Sequence, residues 1–307
     1  MRLLSLAALF VSACSGQRPP APEVDGAAAL EYARAQVAFG PRIPGTEGHA
    51  RMGAWLDSVA RTKADTVIVQ DWRHPTRSGD TIPQRNIIAR FNPSATTRVL
   101  FLAHWDTRPR ADAAGSADTT QPVLGANDGA SGVAVLLAMA DALRQMPPAI
   151  GVDLLFVDGE DYGDFAYHES PEGSDVLIGA RYYAANPPPG PAPRFAVVLD
   201  MVGDQNPRFP KESYSVTGAP DVVDRVWTLA ARMGHGTVFV DEQAGALTDD
   251  HLPLQKAGIR AIDVIDFDYG PNNSFWHTTE DTFDKLSAQS LKIVGDVMMG
   301  VIRTEKP

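Results

Sequence analysis

The stretch Val152-Asp153-Leu154-Leu155-Phe156-Val157-Asp158-Gly159-Glu160-Asp161 decides how the chain is read: a strand-length apolar run stops at a pair of acids. The same pattern recurs on either side of it. Val99-Leu100-Phe101-Leu102-Ala103 stops at His104, and Phe195-Ala196-Val197-Val198-Leu199 stops at Asp200. Short apolar runs that alternate with helical stretches read as buried parallel strands. In an open α/β sheet the ligand site lies just beyond the carboxyl ends of the strands. His104, Glu160, Asp161 and Asp200 are therefore expected to meet at one sheet edge, although they lie far apart in sequence.

Outward from these runs, pattern and breakers place helices at 27–39, 47–61, 129–143, 174–185, 222–233, 250–257 and 286–303. Further strands are expected at 66–70, 85–91, 237–240 and 259–265. Residues 109–125 form a long polar loop, and loops of that size are usually functional. No internal repeat and no second apolar core is evident, so 27–307 is expected to be a single domain.

With 307 residues and 44% hydrophobic content, the chain can bury a full core. Its 38 acidic against 27 basic side chains give a net charge of -11. That argues against nucleic-acid binding, which needs a basic face, and supplies no basic surface for anionic lipids.

The first 14 residues read as a targeting segment rather than as fold. Arg2 is followed by an apolar stretch from Leu3 to Ala13, which is too short to span a bilayer. Val11-Ser12-Ala13-Cys14 resembles a bacterial lipobox, which implies that Cys14 becomes a lipidated first residue. The alternative is a plain secretory signal with an incidental cysteine. On either reading the chain is exported to the cell envelope, on the periplasmic or outer-membrane side, with no transmembrane helix in the mature protein. The Pro-rich segment 15–26 reads as an extended tether between anchor and domain. Cys14 is the only cysteine, so no disulfide forms within the monomer.

The chemistry of the candidate residues is imidazole plus carboxylate without thiol, which suits a divalent metal, most plausibly zinc. Asp128 stands in Gly125-Ala126-Asn127-Asp128-Gly129-Ala130-Ser131-Gly132, just before a helix, where it could ligate a metal or merely cap the helix. Adjacent acids such as Glu160-Asp161 repel each other unless a metal takes one and leaves the other as a base. His277 follows a loop, which favours a ligand over a packed core histidine. Asp249-Asp250-His251 could cap a helix or orient the base and a substrate amine. No Gly-x-Ser-x-Gly elbow, dinucleotide fingerprint or phosphate loop is present.

Together these segments resemble the zinc exopeptidase superfamily, and within it the zinc-dependent glutaminyl-peptide cyclotransferases. The segments are 103–109, 124–132, 158–161, 199–203, 249–253 and 276–278, and the resemblance covers roughly 28–303. It implies a three-layer α/β/α sandwich around a mixed, mostly parallel sheet. It implies one zinc ion on Asp128, Asp161 and His277, with Glu160 as general acid/base. Asp200 and Asp249 would form the hydrogen-bond network around Glu160, and Asp249 would also meet the substrate amine. Trp276 and Trp105 would line the pocket for the N-terminal glutamine of a peptide or protein. The alternative is an aminopeptidase with two zinc ions, in which His104 and Asp200 hold the second. A non-catalytic zinc-binding surface protein would lack Glu160 or a ligand, and neither is missing. The chain departs from animal cyclotransferases after Asp161, where Phe165 or Tyr167 must serve in place of a tryptophan.

Overall fold

The computed structural model describes residues 23–307 apart from positions 115, 171 and 172. The expected targeting segment, Cys14 and most of the expected tether lie outside the described residues. The domain begins before residue 27: Val24 is buried and donates its N–H to Asp296, and the Asp25 carboxylate caps the first helix.

Six strands form the main sheet among the described residues: β1 (Thr66–Pro75), β2 (Thr81–Phe91), β3 (Arg98–His104), β4 (Gly151–Val157), β5 (Ala196–Asp200) and, last in the chain, Ala261–Ile265. Their spatial order is β1, β2, β4, β3, β5 and the Ala261–Ile265 strand. The last four run parallel, while β1 and β2 form an antiparallel hairpin at one edge. A separate pair, β6 (Phe209–Lys211) with β7 (Phe239–Gln243), lies outside this sheet, which makes the Ala261–Ile265 strand β8.

Strand residues alternate between two cores, as a sheet buried on both faces requires. On one face Phe101, Ala103, Leu154, Phe156, Val197 and Leu199 pack under α1 (Gly26–Val37), α2 (Glu47–Lys63), α3 (Ala130–Gln145), α6 (Pro220–Arg232) and α8 (Ala288–Thr304). On the other, Leu100, Leu102, Leu155 and Val198 pack against Tyr183 of α4 (Ile178–Ala185) and Leu254 of α7 (His251–Lys256). The result is the expected α/β/α sandwich.

Some expected boundaries shift for local reasons. The helix expected from Ser174 starts only at Ile178, because Leu177 adopts a left-handed conformation (φ 55°) and breaks helical continuity. β6 and α5 (Ser213–Gly218) are too short to leave a period in the sequence and were not expected.

One close approach sets where the site can form. A Cβ on Gly132 in α3 would lie 2.0 Å from the Leu199 carbonyl oxygen and 2.8 Å from Ala103 Cβ. α3 therefore rests directly on the ends of β3 and β5, with its first turn beside His104 and Asp200. Gly132→Ala should destabilise the domain by about 3 kcal/mol, as overpacking does. Urea denaturation monitored by tryptophan fluorescence measures this, and an unchanged midpoint would contradict the packing described.

Candidate active site

The sheet ends deliver the candidate residues to one place. His104 ends β3 and Asp200 ends β5, Glu160 and Asp161 follow β4, and Asp128 precedes α3. His277 arrives from the loop after β8. None of these six residues, nor Asp249, is more than 7% exposed.

They form two overlapping groups. His277 Nε2 lies 3.0 Å from Asp161 Oδ1 and 3.5 Å from Asp128 Oδ2. His104 Nε2 lies 3.0 Å from Asp128 Oδ1 and 3.2 Å from Asp200 Oδ1. In each group the potential ligand atoms lie within 4.8 Å of one another, and Asp128 belongs to both. The second oxygens of Asp128 and Asp161 are buried with no hydrogen-bond partner, which a metal ion would supply. The donor set is carboxylate and imidazole, as zinc accepts. Asp128, Asp161 and His277 thus fit a metal ion, and so do His104, Asp128 and Asp200. Capping does not explain Asp128: α3 has Gly129 (φ 93°) at its N-cap and no side-chain cap.

The electrostatics follow from burying like charges. Burial, reinforced by Asp161, pushes Asp128 up to about 7. Burial and the same neighbour raise Glu160 well above the usual carboxylate range. Burial also acts upward on Asp161, but His277 and Arg108 outweigh it and hold this carboxyl below its ordinary value. Burial acts downward on His277 and His104, yet the facing carboxylates raise both. The two neighbouring acids are therefore driven in opposite directions, one toward ligation and one toward carrying a proton.

Several supporting residues carried no role in the sequence reading. Both oxygens of the fully buried Asp106 accept backbone N–H groups, one from Glu160 at 3.1 Å and one from Asp161 at 3.1 Å. Asp281 does the same for Asn127 and Asp128, at 2.8 and 3.2 Å. Arg108 donates to the backbone oxygens of Asp161 and Gly163 and pairs with Asp112. Asp112 in turn faces His277 Nδ1 at 3.7 Å. The one signal in the sequence was an acid two places after His104, just beyond the end of an apolar strand. Left-handed backbone at Leu177, Met201 and His277 adds strain around the site. Leu177 bonds to the Glu160 carbonyl, and Met201 directly follows Asp200.

A cavity of about 420 Å³ opens onto these groups. Glu160, Asp200, Asp249, Phe165, Trp276 and His277 are among its walls. Trp276 stacks on His277 with ring centroids 3.9 Å apart. Trp105 does not line the cavity. It is fully buried, stacks on His49 and donates its indole N–H to the Arg85 carbonyl, because it points back under β2. Of the two candidates after Asp161, Phe165 reaches the cavity, 6.3 Å from the His277 ring, while Tyr167 is exposed outside it. In the acidic triplet only Asp249 faces the cavity. Asp250 and His251 are fully buried behind it, and the helix they begin carries no side-chain cap.

Comparison with known proteins agrees with this architecture. Residues 86–302 match the model of peptidase family M28. A glutaminyl cyclase from Bacteroides thetaiotaomicron, crystallised bound to N-acetylhistamine, is 38% identical, with a TM-score of 0.88 over 94% of this chain and 100% of that one. A leucine aminopeptidase precursor from the same bacterium also shows 38% identity and a TM-score of 0.88, over 94% and 99%. A glutaminyl-peptide cyclotransferase-like protein of Bos taurus is 25% identical over 78% of this chain and 66% of its own length. The chain thus spans just under two thirds of that curated relative.

Two outcomes are expected. Asp128, at about 7, and Asp249 and Asp281, each at about 6, bind protons when folded that the unfolded chain, near 3.8, has lost. Stability of the metal-free protein should therefore fall as pH rises from about 4 to about 7, and the raised histidines act in the same direction. Zinc needs its candidate ligands Asp128 and His277 deprotonated, so it should restore most at the upper end. Melting temperatures with chelator and with zinc across that range test this, and a metal-free protein that gains stability over the window would contradict it. Asp106→Asn leaves one of the two backbone N–H groups without its acceptor and should weaken zinc binding about tenfold to hundredfold, read by competition with a chromophoric chelator.

Proposed function

The chain belongs to peptidase family M28, and we propose that within it the protein is a glutaminyl-peptide cyclotransferase, converting the N-terminal glutamine of peptides or proteins to pyroglutamate with release of ammonia. The observation that carries this reading is Glu160. It is a buried carboxyl with a raised proton affinity, beside a metal-compatible group and facing a cavity walled by Asp249 and Trp276. The likeness to bacterial glutaminyl cyclases supports it.

One zinc ion would be held by Asp128, Asp161 and His277. When bound, it would act as a Lewis acid toward the γ-carbonyl of the glutamine. The chain's own residues do the rest. Asp249 and Asp200 face the cavity with carboxyl groups able to accept from the neutral substrate α-amine and orient it. Glu160 takes a proton from the amine, whose nitrogen attacks the γ-carbon to close the ring. Glu160 then returns the proton to the departing nitrogen, which leaves as ammonia as the C–N bond breaks. Trp276 and Phe165 wall the cavity and hold the glutamine in the folded geometry that ring closure needs. The nucleophile is supplied by the substrate, so no activated water is required.

The second group, His104 with Asp128 and Asp200, favours one further reading: an aminopeptidase using two zinc ions and a water nucleophile. The similar leucine aminopeptidase precursor is consistent with it. We also propose that residues 1–14 direct export and that Cys14 carries a lipid anchor. Among the described residues no helix is long and apolar enough to cross a membrane.

The zinc-loaded protein, incubated with a Gln-Phe amide and with leucine 4-nitroanilide, decides between the two activities. Loss of one ammonia from the glutamine peptide, with the leucine substrate intact, is expected. Glu160→Gln should lower the rate by about 10²–10⁴-fold, the usual worth of a general acid/base. Release of free leucine without ring closure would overturn the proposal in favour of the aminopeptidase.

A further inference from the structure

A second cavity of about 260 Å³ adjoins the catalytic one and shares three walls with it: Leu247, Ile265 and Phe267. Phe267 is the partition, edge-on to Trp276 with ring centroids 4.9 Å apart. A peptide whose first residue occupies the catalytic cavity must continue somewhere. One residue of extended chain advances it by only about 3.3–3.6 Å, so the side chain that follows falls within reach of the adjoining space.

The walls specify what fits. Leu247, Ile265 and Phe267 offer apolar surface. Glu212, Asp266 and Asp268 contribute three carboxyl groups. Glu212 and Asp266 are fixed in place by backbone. The fully buried Glu212 carboxylate accepts from Tyr214, Ser215 and Leu247 and lies 3.3 Å from His251 Nε2, so its charge is met within the fold. Asp266 accepts from Arg208 and Asp268, and with the exposed Asp268 it supplies the negative charge of this wall. The single cation on this wall, Arg208, turns its guanidinium to Glu242. In the catalytic cavity Arg108 is likewise spent on Asp112 and Asp161. The adjoining space therefore combines an apolar throat with an excess of negative charge, which matches a long aliphatic stem ending in a cation.

We infer that this second cavity is a subsite for the residue following the N-terminal glutamine, and that it selects lysine or arginine there. The inference rests on the cyclotransferase reading and deepens it, because it names the class of peptide the enzyme prefers.

The test uses the zinc-loaded protein and three matched peptide amides, Gln-Lys-Ala, Gln-norleucine-Ala and Gln-Glu-Ala, at low salt. Norleucine keeps the lysine stem and removes its charge. The expected kcat/KM for lysine exceeds that for norleucine by about fivefold, the size of a partly screened ion pair, with glutamate poorest. The lysine-to-norleucine ratio should shrink toward one in Asp268→Asn and on raising salt. Asp268 is exposed and its side chain makes no hydrogen bond or ion pair among the described residues, and circular dichroism checks that its variant is folded. Equal kcat/KM for all three peptides, or a lysine preference untouched by both salt and Asp268→Asn, overturns the subsite while leaving the cyclotransferase intact. Conversion of none of the three overturns the parent reading, and the subsite with it.

Discussion

Asp128, Glu160, Asp161, Asp200 and Asp249 are buried together at one edge of the sheet, and the repulsion among these five carboxylates is the constraint around which the structure is arranged. Among the described residues, His104, His277 and Arg108 lie close enough to Asp128 and Asp161 to offset it directly. Burial together with the remaining repulsion drives Asp128 and Glu160 upward, a cost relieved by protonation or by a metal ion. A site of this kind stores its chemistry in its instability. The same crowding that costs folding energy gives Glu160 a proton affinity suited to shuttling and leaves lone pairs on Asp128 and Asp161 available to a cation.

The scaffold meets that cost by making the backbone around the acids rigid. Asp106 and Asp281 spend their own carboxylates on backbone N–H groups, and each grips two consecutive residues that include a proposed ligand or the proposed base. Left-handed backbone at Leu177, Met201 and His277 is tolerated at the same place. Strain of order 1–3 kcal/mol per residue survives only where surrounding packing over-determines it. Here that packing comes from two cores pressing on both faces of the parallel strands, and from Gly132, which lets α3 sit on the strand ends without an intervening side chain.

This arrangement also explains how one fold serves more than one hydrolytic or transfer chemistry. The parallel strands present acids and histidines at fixed spacing, while the loops after β4, β7 and β8 supply Phe165, Asp249 and Trp276 and shape the cavity. The strands are common ground for both chemistries.

Much of this was legible without coordinates. Strand-length apolar runs ending in His104, Glu160-Asp161 and Asp200 are enough to state a parallel sheet with its site at the carboxyl edge, because period and length are local properties of the chain. The ligand types followed for the same reason, since carboxylate and imidazole without thiol are read directly from residue identity. Trp105 shows where that reasoning stops. Its neighbour His104 faces the site, and period-two alternation along the strand sends the next side chain the other way, under β2 and onto His49. Asp106 and Asp281 are likewise set by which groups are brought together across 54 and 154 residues of chain, and the choice of Phe165 over Tyr167 and the division of roles between Asp249 and Asp250 are set by packing of the same kind. Sequence by itself determined the fold class and the chemical character of the site. Only the tertiary structure decided which side chains face the cavity and which hold the backbone, because orientation and distance between remote segments are properties of packing and leave no local trace.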